Sequence, residues 1–168
     1  MKESLYVVRG PIGVGKSSVT KAIHARMAGH ASIVETDAIK RMIDPSASSE
    51  WRRKVASASA AYIIEQLLQV PRSGIIETHT KYPAELDRLA AVAARNDARL
   101  VNVLLTAPLE VCQARAAQRD VPGITYAIDQ AMVANYYCNL DPRPDDLVFN
   151  TADMSSQEIA ATIASRLA

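Results

Sequence analysis

Residues 10–17 read Gly10-Pro11-Ile12-Gly13-Val14-Gly15-Lys16-Ser17, a complete G-x-x-x-x-G-K-[ST] pattern. The apolar run Leu5-Tyr6-Val7-Val8 precedes it, and a helical pattern from Lys16 to Ala28 follows. Strand, glycine-rich loop and helix in that order form the setting in which such a loop cradles phosphate. Glycine lets backbone N–H groups turn inward onto phosphate oxygens. Lys16 is placed to reach the β- and γ-phosphates and the Ser17 hydroxyl to take a place on Mg²⁺, with Gly10, Gly13, Val14, Gly15 and Ser18 completing the cradle. The helix start behind the loop adds partial positive charge facing the anion. An ordinary strand–turn–helix corner is the bland alternative, but three of the chain's six glycines fall in this short stretch. The pattern implies a bound nucleoside triphosphate.

Size and composition bound the rest. At 168 residues the chain suits one compact domain over 1–168 with a real core. It is 49% hydrophobic and 22% charged, which places it with globular proteins and not with disordered ones. A net charge of +1 supplies no global field for DNA, RNA or an anionic membrane, so a long polyanion is not the favoured partner. Only four strongly apolar residues stand before Arg9, too few for a secretion signal, and no run approaches the ~18 of a spanning helix. Cys112 and Cys138 lie far apart without C-x-x-C spacing, as expected of reduced thiols in a cytoplasmic protein.

Apolar runs of strand length alternate with helical patterns throughout. The reading gives strands at 5–9, 32–36, 74–78, 99–106 and 146–150. Helices are read at 16–28, 37–43, 49–69, 83–96, 108–120, 127–139 and 155–167. Leu100-Val101-Asn102-Val103-Leu104-Leu105 is almost wholly apolar, as a strand covered on both faces of a parallel sheet must be. Right-handed crossovers then give a three-layer α/β sandwich. Pro83, Pro108 and the Ser155/Ser156–Glu158 pair mark helix starts. Pro122 and Gly123 break the chain between Asp120 and Tyr126.

Ligands of open α/β sheets bind at the carboxyl ends of the strands, which directs attention to the residues there. Asp37 follows the second strand and can accept the proton of an attacking hydroxyl; it can equally cap the next helix. Lys40 and Arg41 come one turn later and can contact an acceptor. The third strand ends Glu77-Thr78-His79, putting a candidate metal carboxylate at Glu77 and a candidate acceptor ligand at His79 on the same edge. A lone loop histidine is also commonly a solvated or capping residue. Arg115 and Arg119 share a helical face before the Pro/Gly break, which suits a triphosphate or an adenine ring as well as plain solvent. Trp51-Arg52-Arg53-Lys54 reads either as a basic patch with an aromatic or as a solvated helix face.

Together these residues resemble the small P-loop kinases, the group of adenylate-, shikimate- and gluconate-type kinases. More narrowly they resemble polynucleotide-kinase-like and zeta-toxin-like kinases and chloramphenicol phosphotransferase. The resemblance rests on Gly10–Ser18, on Thr36-Asp37 with a basic residue a turn later, on Leu104 to Val111 leading to Arg115 and Arg119, and on Phe149-Asn150-Thr151. It implies a five-stranded parallel sheet in order 2-3-1-4-5 and a short lid near 119–126. It also implies Asp37 as base or orienting group, Arg115 at the adenine and Arg119 at the phosphates, with Asn150 and Thr151 completing the adenine pocket. In this class the segment between the second and third strands, which holds residues 51–54, builds the acceptor pocket. The Glu77-Thr78-His79 strand end departs from relatives that carry an aspartate segment there. A lid whose single arginine is Arg119 disfavours a nucleoside-monophosphate acceptor.

The expected function is an ATP- and Mg²⁺-dependent kinase acting on a hydroxyl of a small molecule, with Lys16, Asp37 and Arg119 carrying the chemistry. A 5′-hydroxyl nucleic-acid kinase is the enzymatic alternative and would need a basic tunnel. A nucleotide-binding switch or assembly ATPase is the alternative of another class. It would need a partner protein to read its state. Oligomeric state is not written in the sequence.

Overall fold

The computed structural model describes residues 3–79, 82–118, 129–137, 140 and 142–167. In chain order the elements are β1 (Ser4–Arg9), α1 (Lys16–Arg26), β2 (Ala31–Glu35), α2 (Thr36–Met42), α3 (Ser49–Gln69) and β3 (Ser73–Thr78). They continue with α4 (Pro83–Arg95), β4 (Arg99–Thr106), α5 (Leu109–Ala117), α6 (Gln130–Tyr137), β5 (Leu147–Asn150) and α7 (Ser156–Leu167). The five strands form one parallel sheet in the order β2-β3-β1-β4-β5. Layering and strand order are therefore as the sequence and its resemblance imply.

Alternation along β1 shows why two helical layers are required. Tyr6 and Val8 enter a core cluster with Ile23 of α1, Cys112 of α5 and Ile159 of α7. Leu5 and Val7 point to the other face and join Ile64 of α3 and Leu86, Leu89 and Val92 of α4. Both faces of the strand are apolar because both are covered. In α4, Leu86, Leu89, Val92 and Ala93 recur at helical spacing and are all buried. Each such leucine contributes roughly 1.5–3 kcal/mol by leaving water.

Polar side chains fix the ends of this sheet. Arg9, the last residue of β1, forms a buried ion pair with Asp146 just before β5. Asp146 also accepts the Arg143 backbone N–H at 2.6 Å, and Asn102 of β4 donates to Asp145. At the start of α7 Ser155 and Glu158 form a reciprocal capping box. The Glu158 N–H reaches Ser155 Oγ at 3.3 Å, and the Ser155 N–H reaches Glu158 Oε2 at 2.8 Å. The parallel pairing of β2, β3 and β1 sets the carboxyl ends of these strands side by side with the loops that follow them.

Candidate active site

Gly10 to Ser17 connects β1 to α1 as a tight loop. Gly15 stands at the N-cap of α1 in a left-handed conformation, φ 101°, that a side chain resists. At Gly13, φ 81°, a Cβ would run into the Cys112 carbonyl of α5, so the loop is pressed against that helix. Lys16 is the first helical residue and is only 2% exposed. Its ammonium donates to the carbonyls of Gly10 at 3.1 Å and Pro11 at 2.9 Å, and lies 3.1 Å from His79 Nδ1.

That last contact fixes the histidine. An ammonium can only donate, so Nδ1 accepts and the ring proton sits on Nε2. His79 Nε2 is 2.9 Å from Asp37 Oδ2, so Lys16, His79 and Asp37 make a continuous polar chain from the phosphate loop to α2. The Tyr136 ring of α6 packs edge-on to His79, with centroids 5.7 Å apart. Helix α2 begins at Thr36 with Glu35 at its N-cap, so Asp37 lies inside the first turn and its carboxylate is spent on His79, not on capping.

The surrounding charges set the acidity of the two carboxylates in opposite directions. Enclosure by protein atoms pushes the Asp37 pKa up, but the hydrogen bond from His79 and the positive charges of Lys16 and Lys40 outweigh it and leave it at about 2. Glu77 moves the other way: burial pushes its pKa up, against the pull of Lys16 and the Ser17 hydroxyl, and Glu35 and Asp37 add to the rise.

Glu77 also provides the test of whether a cation fits. The Ser17 hydroxyl donates to Glu77 Oε1 at 2.8 Å, while Oε2 is buried and accepts no hydrogen bond from any described residue. A hydroxyl, a carboxylate and an adjoining phosphate site form the all-oxygen set that Mg²⁺ takes. Ser17 and Glu77 therefore fit that ion.

Two cavities flank Lys16. One, of about 370 Å³, is lined by Gly13, Val14, Gly15, Ser18, Arg115, Thr151 and Met154, among others. Arg115 donates to Thr151 Oγ1 at 2.9 Å, to the Thr151 carbonyl at 3.0 Å and to the Val14 carbonyl at 3.5 Å. Thr151 Oγ1 in turn donates to the Val14 carbonyl at 2.7 Å. The arginine thus ties the phosphate loop to the loop after β5. Asn150 lies next to this cavity without lining it, because its side chain holds the following turn through Asp153 and the Ala152 N–H.

The second cavity, of about 210 Å³, opens beside Asp37 and His79. Lys40 lines it, whereas Arg41 is exposed on α2 and does not. Arg53, Tyr82, Glu85, Asn135 and Tyr136 also line it. Arg53 corrects the reading of residues 51–54 as a solvated face, since it turns inward to pair with Glu85. Tyr82, Glu85 and Tyr136 carry no motif. Their only sequence signal is their place, just after β3 and in the helix before β5. Arg119 and the lid near 119–126 lie outside the described residues, as does Cys138.

The sequence profile of the AAA domain family matches residues 5–136, most of the chain. The chain belongs to that family. No curated protein matches it by sequence. Among solved structures it is similar to the Mycobacterium tuberculosis APS kinase in complex with AMPPNP and APS, with a TM-score of 0.75 and 18% identity over 99% of this chain and 98% of that one. The Deinococcus radiodurans tunicamycin resistance protein superposes with a TM-score of 0.70 at 18% identity, over 99% of this chain and 96% of that one. A gluconokinase from Sinorhizobium meliloti 1021 gives 0.65 at 20% identity, over 99% and 95%. The resemblance to the small P-loop kinases thus extends through the whole fold. Among the described residues, no helix is long and apolar enough to cross a membrane.

Proposed function

We propose that this AAA domain family member is an ATP-dependent kinase that transfers the γ-phosphate to a hydroxyl group of a small molecule. The observation that carries the reading is the Lys16–His79–Asp37 chain, which joins the phosphate loop to a cavity lined mostly by polar side chains. Lys16 supplies positive charge where the β- and γ-phosphates meet. Arg115 and Thr151 would hold the far side of the nucleotide, and Ser17 and Glu77 would hold Mg²⁺. When bound, that ion neutralises charge on the phosphate oxygens.

Asp37 orients the acceptor hydroxyl and takes its proton as the oxygen bonds to phosphorus. With its pKa at about 2 the carboxylate is ionised across the physiological range, always in the accepting form. A group of that acidity is a weak base, but phosphoryl transfer asks more for alignment than for early proton removal. His79 keeps one carboxylate oxygen engaged, which leaves the other to face the acceptor. Lys40 approaches the same cavity and can hold a second acceptor group. The reading implies one domain acting where ATP is supplied, in the cytoplasm.

The test is a thermal-shift screen of hydroxyl-bearing metabolites in the presence of AMPPNP and Mg²⁺, followed by ADP release with each hit. A true acceptor raises Tm by mass action and makes ADP release depend on its concentration. ATP hydrolysis indifferent to every acceptor and stimulated by a protein would contradict the reading and favour a nucleotide switch.

A further inference from the structure

One wall of the 210 Å³ cavity carries an ion pair for which the phosphate chemistry has no use. Arg53 of α3 pairs with Glu85 in the first turn of α4, their side chains 26% and 11% exposed. The Arg53 guanidinium carbon also lies 3.7 Å from the centroid of the Tyr82 ring. Withdrawing two charges from water costs energy, and an apolar pair would hold α3 to α4 at least as well. Retaining the charges at a cavity wall calls for a role in recognition.

We infer that Arg53, Glu85 and Tyr82 determine acceptor specificity, selecting an uncharged, monosaccharide-sized molecule with neighbouring hydroxyls over phosphorylated or carboxylated ones. This inference rests on reading the cavity as the acceptor site. Charge supports it first. Among the described lining residues, Asp37 and Glu85 balance Lys40 and Arg53, so an anionic acceptor meets no excess of cations and two nearby carboxylates. Hydrogen-bonding pattern supports it second. Guanidinium N–H groups beside carboxylate oxygens offer donors and acceptors together, and each hydroxyl needs both. Shape supports it third. Tyr82 is 40% exposed and, with Tyr136, gives flat apolar surface for the C–H face of a ring. The cavity's 210 Å³ is also below the roughly 300 Å³ at which pockets for drug-sized ligands begin.

The test measures kcat/KM for ADP release on a panel of neutral aldoses, alditols and cyclitols alongside their carboxylated or phosphorylated counterparts. D-glucose against D-glucuronate and D-ribose against D-ribose 5-phosphate serve as the matched pairs. The native protein should favour the neutral member by at least about tenfold. Glu85→Gln leaves the Arg53 charge uncompensated and should move that ratio at least about tenfold toward the anion. Arg53→Gln should move it the opposite way. A ratio taken within one variant does not depend on how much of that variant is folded. The inference is overturned if the native protein prefers the anions, if no neutral compound accepts phosphate, or if neither substitution moves the ratio. The kinase reading survives the first and third of these outcomes. It falls separately if no compound of either set raises ADP release and Lys16→Ala hydrolyses ATP like the native protein.

Discussion

The cavity we assign to the nucleotide is walled by two short stretches of chain, within residues 13–19 and 151–156, with Arg115 bracing them together. The cavity we assign to the acceptor is walled by side chains from α2, α3, α4 and α6 and from the end of β3. The first is built from local backbone geometry and the second from tertiary packing. Backbone N–H groups read phosphate, which is the same in every nucleoside triphosphate. Side chains on separate helices can be exchanged one at a time. Under the proposed function, that division would keep the donor constant and leave the acceptor open to change. Lys16 and His79 stand where the two halves meet.

Substitutions that act on one half and spare the other test this division. On the donor side the largest effect is expected from Lys16→Ala, which removes the charge assigned to the β/γ-phosphates. Turnover should fall by about 10²–10³ and ATP affinity should weaken, as calorimetry and initial rates would show. Unchanged affinity together with unchanged rate would break the assignment of the donor side. Arg115→Ala should raise KM for ATP roughly tenfold and cost about 1.5–3 kcal/mol of stability, since charge-assisted bonds to Thr151 and Val14 are lost. KM for the acceptor should not move; a shift there would mean the halves are not separable.

Glu77→Gln is the smallest effect and the one with a pH signature. The Glu77 pKa is raised above 4.5 by burial, so its ionised form costs stability at neutral pH and its protonated form does not. The amide should therefore stabilise the protein by up to about 1 kcal/mol at pH 7. The gap should close as pH falls below 4.5, where Glu77 is neutral as well. The Mg²⁺ concentration needed for half-maximal rate should rise. A substitution that destabilises at pH 7 would contradict the burial argument.

The two halves also differ in how far the sequence reveals them. Gly10 to Ser17 must be contiguous to bend around phosphate, so its spacing is visible in the chain. The strands and their order are legible for a similar reason, because a parallel sheet covered on both faces demands runs such as Leu100 to Leu105. Asp37, Glu77 and His79 are locatable as strand-end residues, and Thr151 through the family pattern. Arg53, Glu85, Tyr82 and Tyr136 are not, since no spacing rule links residues on different helices. Arg53 looks like any solvated arginine until α4 brings Glu85 against it. Asn150 and Arg41 illustrate the converse: position in the chain points to the site, but local turn bonds and helix rotation take their side chains away from it.

The central claim is that Asp37 belongs to the acceptor half and acts in the chemistry. Asp37→Asn preserves size and can still accept from His79, but it removes the negative charge and the proton acceptor. With an acceptor in hand, kcat, ATP affinity and Tm are measured together in this one variant. The account predicts a kcat lower by about 10²–10⁴ with ATP affinity close to native and Tm only modestly lower, since the depressed Asp37 pKa means its charge also contributes some stability at neutral pH. A large fall in Tm with near-native specific activity would show that Asp37 only supports the fold and would pass the role of base to Glu77.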